Sequence, residues 1–253
     1  MSINKIKKSY EEAIADIFDG ATIMVDGFGG PGGMPSGLIW ALHNKGVKNL
    51  TIISNSAGLP EVIRQQRVPP HGYVDCGVLF ENRQVKKVIA TFPISTAISS
   101  STSPFEVQFM AGEVELEIVP QGTLAERIRA GGAGIGGFYT PTGIGTDFEK
   151  GKEKRVIDGR EYILEFPLRA DFALIRAYKA DPWGNLIYRK TSRTFNAIMA
   201  TAARITIAEV EEIVELGELD PETIVTPEIY VSRVVLIPEE LPPGIIWRYQ
   251  EAR

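Results

Sequence analysis

Pro120-Gln121-Gly122-Thr123-Leu124-Ala125-Glu126-Arg127-Ile128-Arg129-Ala130-Gly131-Gly132-Ala133-Gly134 joins a polar loop to a short helix and a glycine-rich exit, and Phe138-Tyr139-Thr140-Pro141-Thr142-Gly143 follows shortly after. Ahead of it, Val114, Leu116 and Ile118 alternate with Glu113, Glu115 and Glu117. That period of two marks a strand half-buried on one face. Gln121 therefore sits just past a strand end. In an α/β sheet, that edge is where ligands bind, because backbone N–H groups and side chains point into the crevice there. A solvent-facing Gln in a plain strand-to-helix turn fits the position equally well.

Working outward, the same alternation of strand and helix recurs. Ala21 to Val25 is an apolar, β-branched run after the Asp19-Gly20 turn; Pro35 and Ser36 open a helix through Leu38, Ile39, Leu42 and Lys45 that Gly46 ends; Leu50 to Ile53 is the next strand. Val88 to Phe92, Tyr162 to Phe166, Phe172 to Ala177, Leu186 to Tyr188, Ile205 to Val210 and Val231 to Leu236 read as further strands, with a helix near Ala197 to Ala203. The expected fold class is α/β, a mostly parallel sheet flanked by helices on both faces, in a single domain spanning residues 1–253. Ile3, Ile6, Tyr10, Ile14 and Ile17 recur at near-helical spacing and predict an amphipathic first helix. Arg64 to Asn82 reads as a variable loop open to a partner contact, Ser95 to Ser103 as a loop whose hydroxyls cap the next helix, and Glu149 to Arg155 as a solvated turn. The proline-rich stretch from Pro238 cannot continue a helix or central strand and is expected to wrap a surface or a neighbour.

Composition excludes several classes. The 253 residues carry a formal net charge of −5 with no basic stripe, which argues against a nucleic-acid partner. No window approaches the ~20 apolar residues that span a bilayer, and the first helix lacks the unbroken apolar core of a signal peptide, so no membrane association is expected and the cytoplasm is the expected location. Cys76 is the only cysteine and is expected to be buried; His43 and His71 are the only histidines. A disulfide, a thiolate metal site and a multi-histidine site are all poorly supported. His43, on the Leu38 to Lys45 helix, is expected to pack or to face solvent. Trp183, Tyr188 and Phe195 are expected in the core; Arg189, Lys190 and Arg193 suit either phosphates, an acidic partner or solvent.

Gly27-Phe28-Gly29-Gly30-Pro31-Gly32 matches G-x-G-x-x-G between a strand and a helix, the context of a dinucleotide loop. The acidic residue such a site needs at the end of the second strand is absent, since that strand ends in Ser54-Asn55-Ser56, and Pro31 removes one N–H from the phosphate cradle. Gly132-Ala133-Gly134-Ile135-Gly136-Gly137 fits the same loose pattern. A dinucleotide-binding oxidoreductase is therefore a weaker alternative.

In the order Asp19-Gly20-Ala21-Thr22-Ile23-Met24-Val25, Gly27-Phe28-Gly29, Gly33-Met34-Pro35, Asn55 with Ala57-Gly58, Val85-Lys86-Lys87-Val88-Ile89, the Gln121 segment, Asp171-Phe172-Ala173-Leu174-Ile175, Trp183-Gly184-Asn185-Leu186 and Ile229-Tyr230-Val231, the chain resembles the alpha-type (A) chain of the 3-oxoacid coenzyme A transferases (family I) over nearly its whole length. The resemblance implies the CoA-transferase (NagB/RpiA-like) fold. It also implies ping-pong transfer of CoA between an acyl-CoA such as succinyl-CoA and a 3-oxoacid or short carboxylic acid, with coenzyme A as substrate and no metal or other cofactor. The nucleophilic Glu of such enzymes lies in an E-x-G-x-x-G loop of a separate B subunit, the implied partner. This chain has no such loop: Glu149-Lys150-Gly151 and Glu215-Leu216-Gly217 both lack the final Gly. By resemblance, Gln121 bonds the substrate carboxyl group, Asn55 lies beside the acyl site, and Gly27, Phe28, Gly29 and Gly134 complete the substrate-binding set, with no catalytic nucleophile in this chain. Two departures stand out. Asp26 replaces the first glycine of Gly-Gly-Phe, and one extra residue precedes Gly33-Met34-Pro35. A carboxylate lining the pocket repels an anionic substrate, so Asp26 is expected to bear on acyl-group preference. A CoA-thioester hydrolase or lyase on the same fold is the closer alternative.

Overall fold

A computed structural model describes residues 3–26, 28, 33–60, 74–93 and 101–238. Its main sheet contains β1 (Ile6–Lys7), β2 (Thr22–Val25), β3 (Leu50–Ile53), β4 (Val85–Ala90), β5 (Glu115–Ile118), β9 (Ala170–Ala180), β10 (Leu186–Ile187), β11 (Ala203–Ile213) and β12 (Arg233–Leu236). The order across it is β1-β12-β11-β9-β2-β3-β4-β5, all parallel, with β10 added antiparallel to the end of β9. A second, antiparallel sheet pairs β6 (Phe138–Thr140), β8 (Arg160–Glu165) and β7 (Lys154–Ile157) in that order.

The parallel sheet is covered on both faces, and the pleat shows why. Ile23 and Val25 enter one apolar cluster while Met24 between them enters the other, as successive side chains on a strand must. Helices α1 (Tyr10–Ala13), α2 (Ser36–Lys45), α3 (Gly77–Glu81) and α4 (Pro104–Met110) cover the first face, contributing Ala13, Leu38, Leu42, Phe80 and Phe105. Helices α5 (Gln121–Ala133) and α6 (Asn196–Thr201) cover the second through Leu124, Ile128 and Met199. Gly131 of α5 permits that packing, because a Cβ there would collide with the carbonyl oxygen of Leu168. Among the described residues, no helix is long and apolar enough to cross a membrane.

Several expectations are corrected. The first helix is confined to Tyr10–Ala13, because Ser9 caps it by accepting the Glu12 N–H at 3.2 Å; Ile6 and Lys7 lie before that cap and pair with Val234 and Val235 as an edge strand. The stretch expected as a loop to Asn82 holds α3, whose Val78, Leu79 and Phe80 are buried, while 61–73, with His71, lie outside the described residues. Lys154 and Arg155, expected in a solvated turn, start β7, since pairing with β8 satisfies their backbone. On the outermost strand of the main sheet, Ile118 is 54% exposed while Glu117 is half-buried, so the alternation there does not sort apolar from polar. Trp183 is exposed at the turn before β10, whereas Phe195 is buried and the Tyr188 hydroxyl meets Thr226 Oγ1 at 2.8 Å. Ser103 caps α4 through a reciprocal box with Glu106. Cys76 is buried, and His43 stacks on Trp40 at 4.7 Å. Residues 94–100 and the tail from 239 lie outside the described residues.

Candidate functional site

Chain order runs outward from β2 through β3 and β4 to β5, and in the other direction from β9 through β11 to β12. The switch point between β2 and β9, and the carboxyl ends of the strands beside it, form the crevice where open parallel sheets bind ligands. Three segments meet that edge. After β3, the carbonyl oxygen of Asn55 accepts the N–H groups of Phe92 (2.8 Å) and Thr91 (3.2 Å) from the turn following β4, and Ser56 bridges Phe92. After β5, the Val119 N–H reaches the Ala90 carbonyl at 3.0 Å, and Pro120 turns the chain directly into α5 with Gln121 as its first residue.

These anchors bring the two amides together: Gln121 Nε2 donates to Asn55 Oδ1 at 3.0 Å, although 66 residues separate them. Asn55 is buried and Gln121 faces solvent. A primary amide has two N–H donors, and this bond uses one of the two on Gln121. The pair can thus present hydrogen-bond donors without fixed charge to a carboxylate or to an oxyanion that forms during acyl transfer. Pro120 makes no side-chain cap on α5, so the first N–H groups of that helix point the same way.

The remaining expected site residues divide. Phe28, past β2, is 42% exposed, with its ring 6.1 Å from that of Phe195. Gly27 and Gly29 lie outside the described residues. Gly134 is not part of this edge: it ends α5 with a left-handed φ of 72°, a full helix length of 13 residues from Gln121, about 20 Å at 1.5 Å per residue. Its place in the sequence pattern reflects a helix cap that only glycine adopts freely. Asp26 also departs from expectation, since it is 0% exposed and does not line the crevice. Its Oδ2 accepts Asn196 Nδ2 at 2.6 Å and the Thr194 hydroxyl.

Two further features had little or no sequence signal. Glu209 of β11 is fully buried, accepts the Leu38 N–H at 3.0 Å at the start of α2, and faces the Arg176 guanidinium at 3.7 Å. Burial pushes its carboxyl up to about 7, against the opposing pull of Arg176 and of the α2 N–H groups. A charged residue inside the apolar run Ile205 to Val210 was the one available hint. The second is a cavity of about 670 Å³ between β5 and the small sheet, walled by Ile118, Phe148, Leu164 and Phe166 with Arg127 and Lys152 at its rim. Both cations are held by the buried carboxylate of Glu165.

Comparison with known proteins agrees with this architecture. The family described as Coenzyme A transferase matches residues 7–236. The chain is 52% identical over 235 residues to the A-type chain of a 3-oxoadipate CoA-transferase of Pseudomonas putida, covering 93% of this chain and 94% of that one. It is 50% identical over 234 residues to the A-type chain of a probable succinyl-CoA:3-ketoacid coenzyme A transferase of Bacillus subtilis, covering 92% and 90%. Among solved structures, an acyl-CoA transferase from E. coli O157:H7 superposes with a TM-score of 0.75 at 24% identity, over 96% of this chain and 51% of that one, a likeness of fold. Half-identity along nearly the full length of two relatives does not arise between families, and the chain belongs to the coenzyme A transferases, as a subunit of the A type.

Proposed function

We propose that this chain is the A-type half of a two-subunit 3-oxoacid CoA-transferase, and that it holds the acid while a B subunit supplies the nucleophile. The observation that carries the reading is the Gln121–Asn55 amide pair at the carboxyl edge of the sheet, in a chain whose sequence contains no E-x-G-x-x-G loop. The partner's Glu carboxylate attacks the acyl-CoA carbonyl, the C–S bond breaks, and CoA leaves as thiolate. The thiolate then attacks the glutamyl carbonyl of the mixed anhydride and expels the first carboxylate. The incoming acid takes the same path in reverse. Amide donors suit every stage, since each passes through an oxyanion or a free carboxylate. Gln121, Asn55 and Phe28, with Gly27 and Gly29 beside it, form the acid-binding set. Coenzyme A enters as substrate, no metal or other cofactor takes part, and the complex works in the cytoplasm.

Family membership removes the dinucleotide oxidoreductase as a reading of Gly27 to Gly32. Transfer and thioester hydrolysis on the same fold are separated by experiment. The chain co-expressed with a B-type partner is expected to move CoA from succinyl-CoA to a 3-oxoacid, with neither chain active on its own. Steady release of free CoA in the absence of an acid acceptor would establish a hydrolase instead.

A further inference from the structure

Asp26 stands where the Gly-Gly-Phe pattern has its first glycine, and it is buried at the end of β2. A buried carboxylate is costly unless its oxygens accept hydrogen bonds, and those bonds are specific here. Asn196 Nδ2 approaches Asp26 Oδ2 at 2.6 Å while also reaching the carbonyl oxygens of Gly33 and Ser192, each at 3.0 Å, and Asn196 Oδ1 accepts the Arg176 N–H of β9 at 2.9 Å. The Thr194 hydroxyl donates to the same Asp26 oxygen. Thr194 adopts φ 36° and ψ −129°, a strained backbone for a β-branched residue, of the kind that persists where the surroundings fix it and that clusters at functional sites. Gly33 is closely confined, since a Cβ there would lie 2.8 Å from Ser192 O and from Thr194 Oγ1, and 2.9 Å from Asp26 Oδ2.

This cluster bears on one exposed side chain. The Phe28 N–H lies 3.4 Å from Asp26 Oδ1, and the Phe28 ring packs on Phe195, which sits between the two residues that hold Asp26 Oδ2. Both the backbone and the ring of Phe28 are thereby referred to one carboxylate. The pairing of Met24 with Ile53, carried two residues on, sets Asp26 and Asn55 on neighbouring strand ends, so the segment that carries Phe28 and the amide pair leave the same carboxyl edge of the sheet.

We infer that Asp26, held by Asn196 and Thr194, is a positioning residue that fixes Phe28 as a wall of the acid site and so sets the chain length of the 3-oxoacid accepted. The inference rests on the transferase reading above. Its direction follows from the geometry: a held wall favours short acids, and a released one admits longer acids. Each methylene contacting an apolar wall is worth about ten-fold or more in discrimination.

The test uses the complex with its B-type partner and compares kcat/KM for 3-oxobutanoate with kcat/KM for 3-oxohexanoate. Their ratio, taken within one preparation, does not depend on the fraction of enzyme that is folded, so a merely structural lesion leaves it unmoved. Asp26→Gly is expected to lower the short-to-long ratio by about five-fold or more, while Asp26→Asn, which leaves one accepting oxygen where the carboxylate has two, lowers it by less. A smaller fall for Asp26→Gly overturns the inference. Should Asp26→Gly fail to assemble, Thr194→Val decides: a fall of about two-fold or more supports the inference and a smaller one overturns it. Absence of transfer to these acids and to 3-oxoadipate by the unaltered complex would overturn the transferase reading, whereas an unmoved ratio in active complexes overturns the role of Asp26 alone.

Discussion

Replacing Glu209 with Gln should flatten the pH dependence of stability between pH 5 and 8. In the folded chain its carboxyl titrates near 7, against an ordinary value of 4.5, because burial outweighs the Arg176 guanidinium at 3.7 Å and the Leu38 N–H at 3.0 Å. The folded state therefore binds the proton more tightly than the unfolded state. Stability from this group is fully present below pH 4.5 and is lost as pH rises through 7. Integrating between pH 5 and 8 gives a loss of about 2.5 kcal/mol, or roughly 5–10 °C in Tm for a chain of this size. The carboxyls of Glu12, Asp16, Glu117 and Glu149 are all shifted downward by their hydrogen-bonded partners, so their contributions vary at lower pH. Glu209→Gln keeps an oxygen for the Leu38 N–H, and Arg176 keeps Glu211 at 2.8 Å. Urea and thermal unfolding of both proteins across this range is the assay. Parallel curves for the two proteins would show that Glu209 does not titrate there and would refute the argument.

Gln121→Ala should lower kcat/KM for the acid by about 10- to 100-fold, the worth of one hydrogen bond to a charged group, with the native mass of the complex unchanged; unaltered kinetics would remove Gln121 from the site. Gly131→Ala forces a Cβ against the Leu168 carbonyl and should cost about 1–3 kcal/mol or more, whereas Gly136→Ala, with open space around it, should fall between neutral and about 1 kcal/mol stabilising in the same urea titration. Gly134→Ala should destabilise by about 1 kcal/mol through its left-handed φ while leaving kcat/KM unchanged, and a kinetic defect would return Gly134 to the site.

The architecture was legible because its strands are short apolar runs punctuated by glycine and proline, and the central strands (β2, β3, β9, β11) are buried on both faces. At the margins the sequence misled. Ile3 and Ile6 carry a helical spacing, yet the sheet edge offered by β12 claims Ile6, and a local period cannot report a partner more than 220 residues away. Lys154 and Arg155 look solvated and are, since a two-stranded pairing can satisfy the backbone while both side chains stay in water. Gln121 and Asn55 were legible as strand-end residues, and their hydrogen bond follows from β3, β4 and β5 lying side by side. The burial of Asp26 is not legible, because nothing local to residue 26 announces that Thr194 and Asn196 come to meet it. Gly134 enters the expected set by resemblance, and the rigid helix between it and Gln121 holds it a helix length away.

The strand order also sets the timetable of folding. Strands β2 to β5 are neighbours in both sequence and space, so that half of the sheet can assemble as soon as it leaves the ribosome. Its inner edge, β2, waits for β9, whose Phe172 pairs with Ile23 across almost 150 residues of chain. Until then a buried-type strand lies open at one side, with unpaired N–H and C=O groups along an apolar ribbon, the geometry that recruits other chains. From the end of β5 to the end of β9, synthesis at 5–20 residues per second leaves this edge unprotected for roughly 3–12 seconds. A chaperone that covers this edge, or faster elongation through β9, is therefore expected to raise the yield of folded chain.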